Sequence, residues 1–406
     1  MSDVHLTQGA RQKLGRVEGD LTAERDVEIE AADGGTIVVT GCATFDGSAT
    51  VRSGLECQRL TVEDGRFVAE KELTVRDEFR ADDAKVEVRG PLHAGRVEID
   101  RSLVLGADAV AREIEVGGSL QAAAGVAADE VSVGGLLEVH GLLKGRRAEV
   151  GGEAELGAVE LERLSAGGRV RMTAGSVSGS IEVGGLFESR EKLVFGELEV
   201  GGAARLGASE GRRIEIGGKL STEGNLTIDR LEIGGVANLR GDLSGREVEV
   251  GGILSVSGSV QLAGTLEVGG VVDVGGELSA EAIDVGGSLR ARSGKVRGRA
   301  QLGGSVRTEL GLRAGRLELG KGSEALGPLV GDEVELGRRS GAQSVFGRRV
   351  TVGADARVDR LVGDRVEVGD HARVGRVEYV TELKLGRGVE LGEPAVKLTV
   401  LPPFPL

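Results

Sequence analysis

The side chains that most often carry catalysis or bind metals are few and scattered in this sequence. The histidines are His5, His93, His140 and His371, and none of them lies at ligand spacing from a cysteine or a carboxylate. A zinc ion needs several such ligands that converge on it. The sequence therefore predicts no metal site and no catalytic histidine.

Two glycine patterns resemble phosphate-binding loops. The segment 315–322, GRLELGKG, matches most of such a loop, but Gly322 stands where serine or threonine is required. Pairs such as Gly269–Gly270 and Gly275–Gly276 resemble dinucleotide-binding turns, but no strand–helix–strand unit surrounds them. We interpret both patterns as structural and expect no cofactor.

Acidic residues recur at the centre of an apolar–acidic–apolar–glycine phrase, as in IEIGG at 214–218 and LEIGG at 231–235. Stacked carboxylates destabilise a face mildly unless arginines or cations lie nearby. We interpret this face as solvated; the alternative is a surface that recruits a basic partner protein or divalent cations. The candidate interaction stripe consists of Glu182, Glu199, Glu215, Glu232, Glu249 and Glu267.

The two cysteines, Cys42 and Cys57, lie about one repeat apart and could stack in neighbouring turns. A disulfide between them would need an oxidising compartment, for which nothing else in the sequence argues. We interpret both as free, buried thiols.

The apolar–acidic–apolar–glycine phrase repeats from Ile114 to Gly388. This repeat predicts the strands that must position these residues. Successive first glycines of the phrase, from Gly117 to Gly386, follow one another at intervals of about 17 residues, and self-similarity at a fixed period is the signature of a solenoid. The glycines predicted to form its corners include Gly117, Gly134, Gly151, Gly184, Gly201, Gly217, Gly234, Gly251, Gly269 and Gly286.

One repeat, Lys219–Gly235, contains three short runs in which apolar and polar residues alternate. Alternation places Leu231 and Ile233 on one side of a strand and Glu232 on the other. Long helices are excluded, because glycine in every turn would cost each of them about 1 kcal/mol against alanine. The fold predicted is an all-β, single-stranded β-helix with about 17 residues and three short strands per turn, with glycines at corners that need positive φ.

The repeat divides the chain into four parts. Residues 1–14 are polar and aperiodic and are predicted to be a flexible tail, and residues 15–100 keep a looser form of the repeat, with insertions at 31–35 and 81–84. A separate small β domain is the alternative for residues 15–100. The regular solenoid is predicted over 101–400, followed by a proline-rich apolar tail at 401–406.

Both ends of the solenoid are candidates for contacts. The tail prolines, such as Pro402 and Pro403, cannot donate hydrogen bonds and could blunt the last open strand edge. The alternative is that the apolar tail, with Leu401, Phe404 and Leu406, docks on a partner or on a second copy. At the other end, residues 15–23 are predicted to form the free edge. The candidate end-contact or cap residues are Val389, Leu391, Leu398, Val400 and Phe404.

Composition limits the partners. The chain has 51 Lys and Arg against 65 Asp and Glu, a net charge of −14, which disfavours capture of nucleic acid or of an anionic bilayer. No run of about 20 apolar residues predicts a membrane span, and the first residues show no apolar secretion signal. We therefore expect a cytoplasmic protein.

Two enzyme classes are built on β-solenoids. Hexapeptide acyltransferases have a strict six-residue period and a catalytic histidine on a loop, and neither feature is present here. Polysaccharide lyases and hydrolases carry aromatic clefts and paired carboxylates on long loops, whereas aromatics make up only 2% of this chain. We expect no enzymatic activity and retain an acyltransferase-like enzyme only as a remote alternative.

The phrases RVEGDL at Arg16–Leu21, RLEIGG at Arg230–Gly235 and RGDLSGREVEVGG at Arg240–Gly252 resemble bactofilins, a family of polymer-forming cytoskeletal proteins. The resemblance is one of repeat style over most of residues 15–400, in an unusually long chain that lacks the family's apolar membrane-targeting tip. It implies a right-handed, roughly triangular β-helix that associates end to end into nonpolar filaments without nucleotide. We therefore expect a structural scaffold whose main partner is itself, with other proteins as further partners.

Overall fold

The computed structural model describes residues 3–404, so Met1, Ser2, Pro405 and Leu406 of the predicted tails lie outside the described residues. In this range the chain is all-β, and parallel strands stack as a solenoid of about 23 turns with about 17 residues per turn. The prediction of an all-β solenoid is confirmed. The chain divides into two compact units, Met1–Gly201 (unit 1) and Gly202–Leu406 (unit 2).

The strands are numbered in chain order. Unit 1 contains β1 (Val4–Leu6), β2 (Arg11–Leu14), β3 (Arg16–Val17), β4 (Leu21–Ala23), β5 (Val27–Ala31), β6 (Thr36–Val39), β7 (Cys42–Asp46), β8 (Ala49–Val51), β9 (Gly54–Glu63), β10 (Arg66–Ala69), β11 (Leu73–Asp82), β12 (Lys85–Val88), β13 (Leu92–Ile99), β14 (Ser102–Leu105), β15 (Ala109–Val116), β16 (Ser119–Ala122), β17 (Val126–Val133), β18 (Leu136–Lys144), β19 (Arg147–Val150), β20 (Glu153–Ala166), β21 (Arg169–Val183), β22 (Leu186–Ser189) and β23 (Leu193–Val200).

Unit 2 contains β24 (Ala203–Leu206), β25 (Ser209–Ile216), β26 (Lys219–Thr222), β27 (Leu226–Ile233), β28 (Val236–Leu239), β29 (Leu243–Val250), β30 (Ile253–Val256), β31 (Val260–Leu262), β32 (Thr265–Val268), β33 (Val271–Ala280), β34 (Ala282–Val285), β35 (Ser288–Val296), β36 (Arg299–Leu302), β37 (Val306–Leu319), β38 (Glu324–Leu336), β39 (Gly341–Val352), β40 (Arg357–Val368), β41 (Arg373–Leu385), β42 (Glu390–Leu391) and β43 (Val396–Lys397).

Each turn has three faces. In the turn that begins at Ser119, face B is the strand Ser119–Ala122, face C is the first part of β17 and face A is its last part, which ends at Val133 before the corner glycines Gly134–Gly135. Each face pairs in parallel with the same face of the next turn. Residues one turn apart therefore stand above one another, about 4.8 Å apart.

The core consists of columns of aliphatic side chains. Val116, Val133 and Val150 pair in register on face A of unit 1, and each is at most 4% exposed. Ile233 and Val250 continue the same arrangement within unit 2 and are 1% exposed. Each such burial stabilises the fold by about 1.5–3 kcal/mol. The intervening residues of face A point to solvent, which is why the glutamates form an outer column.

Residues 4–14 form the first turn, and the prediction of a flexible tail there is wrong. Strand β1 pairs with β4, and β2 pairs with β5. Leu6 and Leu14 face the core and are only 7% and 8% exposed. The segment looks aperiodic because polar side chains occupy the outward positions and the turn between the two strands.

Residues 15–100 continue the same stack with longer turns. Leu21 pairs with Ala43 and Leu60 pairs with Phe79, and both steps along the chain are longer than the regular turn. The insertion at 31–35 lies mostly between β5 and β6, and the insertion at 81–84 spans the end of β11 and the connection to β12. Because β13 pairs with both β11 and β15, the strands on either side of residue 100 belong to one stack, and the alternative of a separate β domain is wrong.

The corner glycines are required by the close approach of successive turns. A Cβ at Gly134 would lie 2.1 Å from the carbonyl oxygen of Gly117, and a Cβ at Gly251 would lie 2.5 Å from that of Gly234. Such contacts are essentially never shorter than 3.0 Å. None of the ten predicted corner glycines has positive φ. They do lie between faces A and B, but the cause predicted for them is wrong.

The corners of unit 2 change after Gly304. In the earlier turns two residues connect face A to face B, as Gly251–Gly252 do between β29 and β30. In the later turns the connection has four residues, as between Leu336 and Gly341. The third residue of each four-residue corner has a φ between 58° and 72°; these residues are Gly322, Arg339, Asp355, His371 and Gly388. The left-handed backbone predicted for all corners is confined here to the later ones.

Candidate interaction surfaces

In unit 2 the candidate stripe forms one outer column on face A. Glu215 pairs in register with Glu232, Glu232 with Glu249, and Glu249 with Glu267. A guanidinium nitrogen of Arg213 lies 2.6 Å from a carboxylate oxygen of Glu215 and 3.5 Å from one of Glu232. Within residues 3–404, Glu249 and Glu267 form no ion pair. Arginine thus relieves the repulsion in only part of the column.

In unit 1 the stripe lines an open groove. Glu182 and Glu199 pair in register, and with Glu149 they line a space of about 680 Å³ along the corner glycines. The Ser180 hydroxyl donates a hydrogen bond to Glu182 Oε1 at 3.2 Å. Arg147 forms an ion pair with Glu149, whereas within residues 3–404 Glu182 and Glu199 form none. The charge of these two glutamates favours cations or a basic partner.

Neither the stripe nor the histidines assemble into a metal centre. In the part of the chain that the structure describes, no group of three or more His, Cys, Asp or Glu residues is arranged to hold a metal ion. His5, His93 and His140 each face a single glutamate on the surface, at distances of 3.5, 3.9 and 2.9 Å. His371 occupies a four-residue corner.

An ion-pair cluster on face A surrounds Glu318. Arg299 on the preceding turn and Arg316 on the same strand both contact its carboxylate, with Nε of Arg316 at 2.6 Å. The hydrogen bond from Arg299, helped by the positive charges of both arginines, lowers the pKa of Glu318 below its usual range. This residue was not among the six stripe positions, although it stands at the same place in its repeat.

The N-terminal edge of unit 1 is free. Within residues 3–404, strand β1 pairs only with β4, β2 only with β5 and β3 only with β6. The N–H of Val4 donates to Asp20, and the carbonyl oxygen of Leu6 accepts from Glu24. Because backbone groups alternate in direction along a parallel strand, those of His5 point to the open side. The edge is thus β1–β3. The predicted edge at residues 15–23 is right for β3 and wrong for β4, which lies between β1 and β7.

The C-terminal edge of unit 2 is more apolar. The last part of β41, which ends at Leu385, pairs with β40 on one side, and within residues 3–404 no strand pairs with its other side. Leu385, Val396 and Val400 are 46%, 41% and 75% exposed. An open edge that carries exposed apolar side chains is a template for another strand.

Four of the predicted end-contact residues lie in this last turn. Val389 and Leu391 lie in or directly before β42, and Leu391 is half-buried and pairs in register with Val374. The N–H of Leu398 donates to the carbonyl oxygen of Tyr379 at 2.6 Å. Val400 follows at the point where the chain leaves the stack.

The fifth, Phe404, lies on the side of the solenoid and not over its end. Phe404 and Leu401 pack against an outer apolar column on face C formed by Val330, Phe346 and Val362. The ring centroids of Phe404 and Phe346 are 6.4 Å apart. The proline-rich segment therefore covers the flank of turns within unit 2 and leaves the edge of β41 open.

Sequence reasoning missed this apolar column, although a signal for it was present. Its members follow a core residue directly and precede a glycine, in LVG at 329–331, VFG at 345–347 and LVG at 361–363. Two adjacent apolar residues break the alternation, so the second one must point outward. Three such breaks, one in each of three successive turns, predict an outer apolar column.

The cysteines do not stack. Cys42 is on face A, where it pairs in register with Arg59, whereas Cys57 is on face C and pairs with Val75. Both are free; Cys57 is buried and Cys42 is half-buried. Burial, with smaller contributions from Cys42 and Glu56, raises the pKa of Cys57 to about 12. The thiol is therefore protonated and unreactive at neutral pH.

The phosphate-loop resemblance at 315–322 lies on the end of β37 and on the first four-residue corner, with Gly322 at a φ of 72°. No helix in residues 3–404 has the length and apolar character needed to cross a membrane. No family model, curated protein or solved structure matches the chain. The fold and its surfaces are therefore the basis for a functional proposal.

Proposed function

We propose that this protein is a non-enzymatic structural scaffold of the cytoplasm that associates end to end through its terminal turns, as the bactofilin resemblance implies. The observation that carries the proposal is the pair of open strand edges, β1–β3 in unit 1 and the end of β41 in unit 2. A stack of parallel strands adds a further turn by the same hydrogen bonds that join its own turns. A second copy can supply that turn.

The fold supports this role in two ways. Its hydrophobic side chains are used to hold one turn on the next, and the corner glycines allow the backbones to approach closely. Solenoids distribute their stability over nearest-neighbour contacts between repeats, so such a stack needs a protected or occupied end. The exposed Leu385 and Val400 are left without that protection.

The N-terminal edge can be blocked without disturbing the fold. The N–H of His5 points to the open side of β1, so a proline there removes a donor only from the free edge. We expect His5→Pro to weaken association through this end, and His5→Ala, which keeps the N–H, to behave as the wild type. Sedimentation velocity over a hundredfold range of concentration measures the difference.

The C-terminal edge has its own variant. Leu385→Lys places a charge beside the free side of β41, where strand addition would desolvate it. If copies join N-terminal end to N-terminal end and C-terminal end to C-terminal end, each single variant leaves discrete dimers. If they join head to tail, each single variant leaves monomers. A wild-type protein that stays monomeric across the whole range contradicts the proposal.

A second candidate is a binding module that uses the acidic stripe. The unit 1 groove lined by Glu149, Glu182 and Glu199 favours it, because within residues 3–404 Glu182 and Glu199 form no ion pair. Replacing these three by glutamine should abolish binding of a polylysine probe and leave end association unchanged. Equal polylysine binding by the variant would contradict this candidate.

A further inference from the structure

Unit 2 contains two adjacent segments of opposite charge. Residues 247–289 contain seven Asp and Glu and no Lys or Arg, for a net charge of −7. Residues 290–316 contain eight Lys and Arg and one acid, Glu309, for a net charge of +7. We call them the acidic block and the basic block. In a chain of net charge −14, the basic block is an isolated positive region.

Three of the eight basic residues of the basic block are not neutralised by their own chain. Within residues 3–404, Arg292, Lys295 and Arg307 make no ion pair or side-chain hydrogen bond. Arg290 contacts Asp273 across the boundary at a nitrogen–oxygen distance of 3.6 Å. The side chain of Arg290 is 60% exposed and that of Asp273 is 47% exposed. Exposed pairs of this kind are weak, so both blocks keep charge for a partner.

Face B carries the boundary in one register. Asp273 pairs with Arg290 and Arg290 with Arg307 on successive turns. Ile253 and Val271 stand on the acidic side of this boundary and are 40% and 38% exposed. Leu326, next in the column after Arg307, is 38% exposed on the basic side.

A shallow groove follows the same face. It has a volume of about 230 Å³ and is lined by Val271, Asp273, Arg290, Arg307 and Leu326, among others. The groove thus runs from the acidic block to the basic block, with an apolar residue near each end. The turn before Arg290 carries the acidic Asp273, and the turn after it carries the basic Arg307.

We propose that face B of unit 2, from Ile253 to Leu326, binds face B of a second copy of this chain, with the two stacks antiparallel. A two-fold axis parallel to the strands at the turn of Arg290 reverses the order of the turns. Asp273, one turn before the axis, then faces Arg307 of the second copy, one turn after it. The symmetry creates this contact twice, as expected of a self-complementary interface.

The apolar residues lie at the two ends of the interface. Leu326, two turns after the axis, is in the column of Arg307 and faces Ser255 of the second copy, two turns before the axis. Ile253 lies two residues before Ser255 on the same strand, beside this contact and not opposite Leu326. The opposite pairing, with the stacks parallel, would place Arg307 against Arg307 and Asp273 against Asp273. The parallel pairing thus sets three pairs of like charges against each other. The antiparallel pairing sets only Arg290 against Arg290, and each of these arginines contacts Asp273 of its own chain at 3.6 Å.

The size of the face sets the strength of the pairing. Five turns of four residues cover roughly 300 Å² on each copy, against about 800 Å² in a stable interface. The pairing is therefore weak and depends on charge. Its dissociation constant should rise about tenfold or more between 50 mM and 500 mM salt, because the Debye length falls from roughly 14 Å to about 4 Å. This surface is separate from the strand edges that carry the proposed function.

Two charge-reversal variants test the contact. Asp273→Arg alone places two arginines against each other across the interface, and Arg307→Asp alone places two acids against each other. Each variant alone should be monomeric at 50 mM salt. An equimolar mixture should form dimers with at least tenfold higher affinity, because oppositely charged side chains then face each other between the two chains. Light scattering after size exclusion, in a His5→Pro, Leu385→Lys background, isolates this pairing from end association.

The equimolar mixture of the two variants distinguishes loss of the interface from a folding defect. Asp273→Arg also removes the partner of Arg290 in its own chain, but mixing cannot repair a defect within one chain. Circular dichroism and melting temperature check that both variants fold, and Asp273→Asn with Arg307→Gln provides a milder pair. A mixture that stays monomeric, single variants that dimerise like the wild type, or dimers unaffected by salt would each overturn the inference. End association can fail without affecting any of these outcomes.

Discussion

Two regions of unit 2 build the same corner in different ways. Between Gly217 and Gly304, two glycines connect face A to face B, and neighbouring turns approach so closely that a Cβ at Gly251 would lie 2.5 Å from a carbonyl oxygen. Between Gly320 and Gly388, four residues make the connection, and the third has a left-handed backbone. The first region selects glycine by contact between turns. The second keeps such a contact at the first residue of its corners, as at Gly337 and Gly353, and adds a third position where φ favours glycine.

The difference decides which residue types each corner accepts. In the later region the left-handed position holds Arg339, Asp355 and His371 as well as glycine, because its cost is only about 1–2 kcal/mol for an L residue. In the earlier region no side chain fits, since the obstructing atom belongs to the backbone of the preceding turn. Glycine thus occurs at the corners of this solenoid for two different physical reasons.

The largest effect is expected from Gly251→Ala. Its Cβ would overlap the Gly234 carbonyl, and overpacking against backbone should cost up to about 3 kcal/mol in the free energy of unfolding of that turn. Hydrogen exchange should show the loss of protection in β29 and β30. Gly341→Ala is the matched control, because its Cβ would meet nothing closer than Glu324 Cγ at 3.6 Å. Equal effects of the two substitutions would contradict the steric explanation.

A smaller effect is expected from Phe404→Ala. Only the later region has an outer apolar column, and Phe404 covers it beside Phe346. Losing this contact should cost about 1 kcal/mol, the usual contribution of an aromatic pair. Hydrogen exchange should rise in β38–β40 and remain unchanged in β27–β30. Pro403→Ala, at an exposed position, is the control. Unaltered exchange in β38–β40 would show that the segment does not protect this flank.

In contrast to the two substitutions above, Arg339→Gly is expected to stabilise the protein. Glycine removes the left-handed strain at a φ of 59° but loses more chain entropy on folding, so the net gain should be about 0.5 kcal/mol. Arg338→Gly, one residue earlier, has no such strain to relieve and should destabilise the protein. Thermal melting compares the two. Destabilisation by Arg339→Gly would contradict the φ-based explanation of the later corners.

The smallest effect concerns the junction of the two regions. Arg299, in the last turn before Gly303, bonds Glu318, in the turn that ends at Gly320, and this hydrogen bond lowers the pKa of Glu318. A lowered carboxyl pKa adds stability above the pKa of the unfolded chain, and this stability disappears as pH falls through the folded pKa. Arg299→Gln should therefore destabilise the protein slightly at pH 7 and have no effect once Glu318 is protonated.

A carboxyl titration by nuclear magnetic resonance checks this directly. The pKa of Glu318 should rise in Arg299→Gln and rise less in Arg316→Gln, because the bond from Arg299 is the larger cause of the shift. An unchanged pKa in Arg299→Gln would contradict the assignment.

The stack of strands could be predicted from the sequence because each rule involved is local. Alternation decides which side of a strand Ile233 occupies, and a constant period decides which residue stands above it. The first turn escaped prediction because Leu6 and Leu14 are single apolar residues among polar ones. Their role becomes visible only when β4 and β5 lie beside them.

The surfaces were harder to predict because they depend on register between turns. The cause of the corner glycines is a distance between Gly134 and Gly117, one turn apart, which no local pattern states. The position of Phe404 depends on a column made by three separate turns. The charge blocks are evident in composition, but only the pairing of Asp273 with Arg290 and Arg307 places them on one face.

The most direct test of the scaffold proposal is electron microscopy of the purified full chain at physiological salt and increasing concentration. Open terminal turns that accept further copies predict chains of molecules that lengthen as concentration rises and that shorten in His5→Pro and Leu385→Lys. Isolated single molecules of the wild type at every concentration, or chains in both variants that are as long as those of the wild type, would contradict the account.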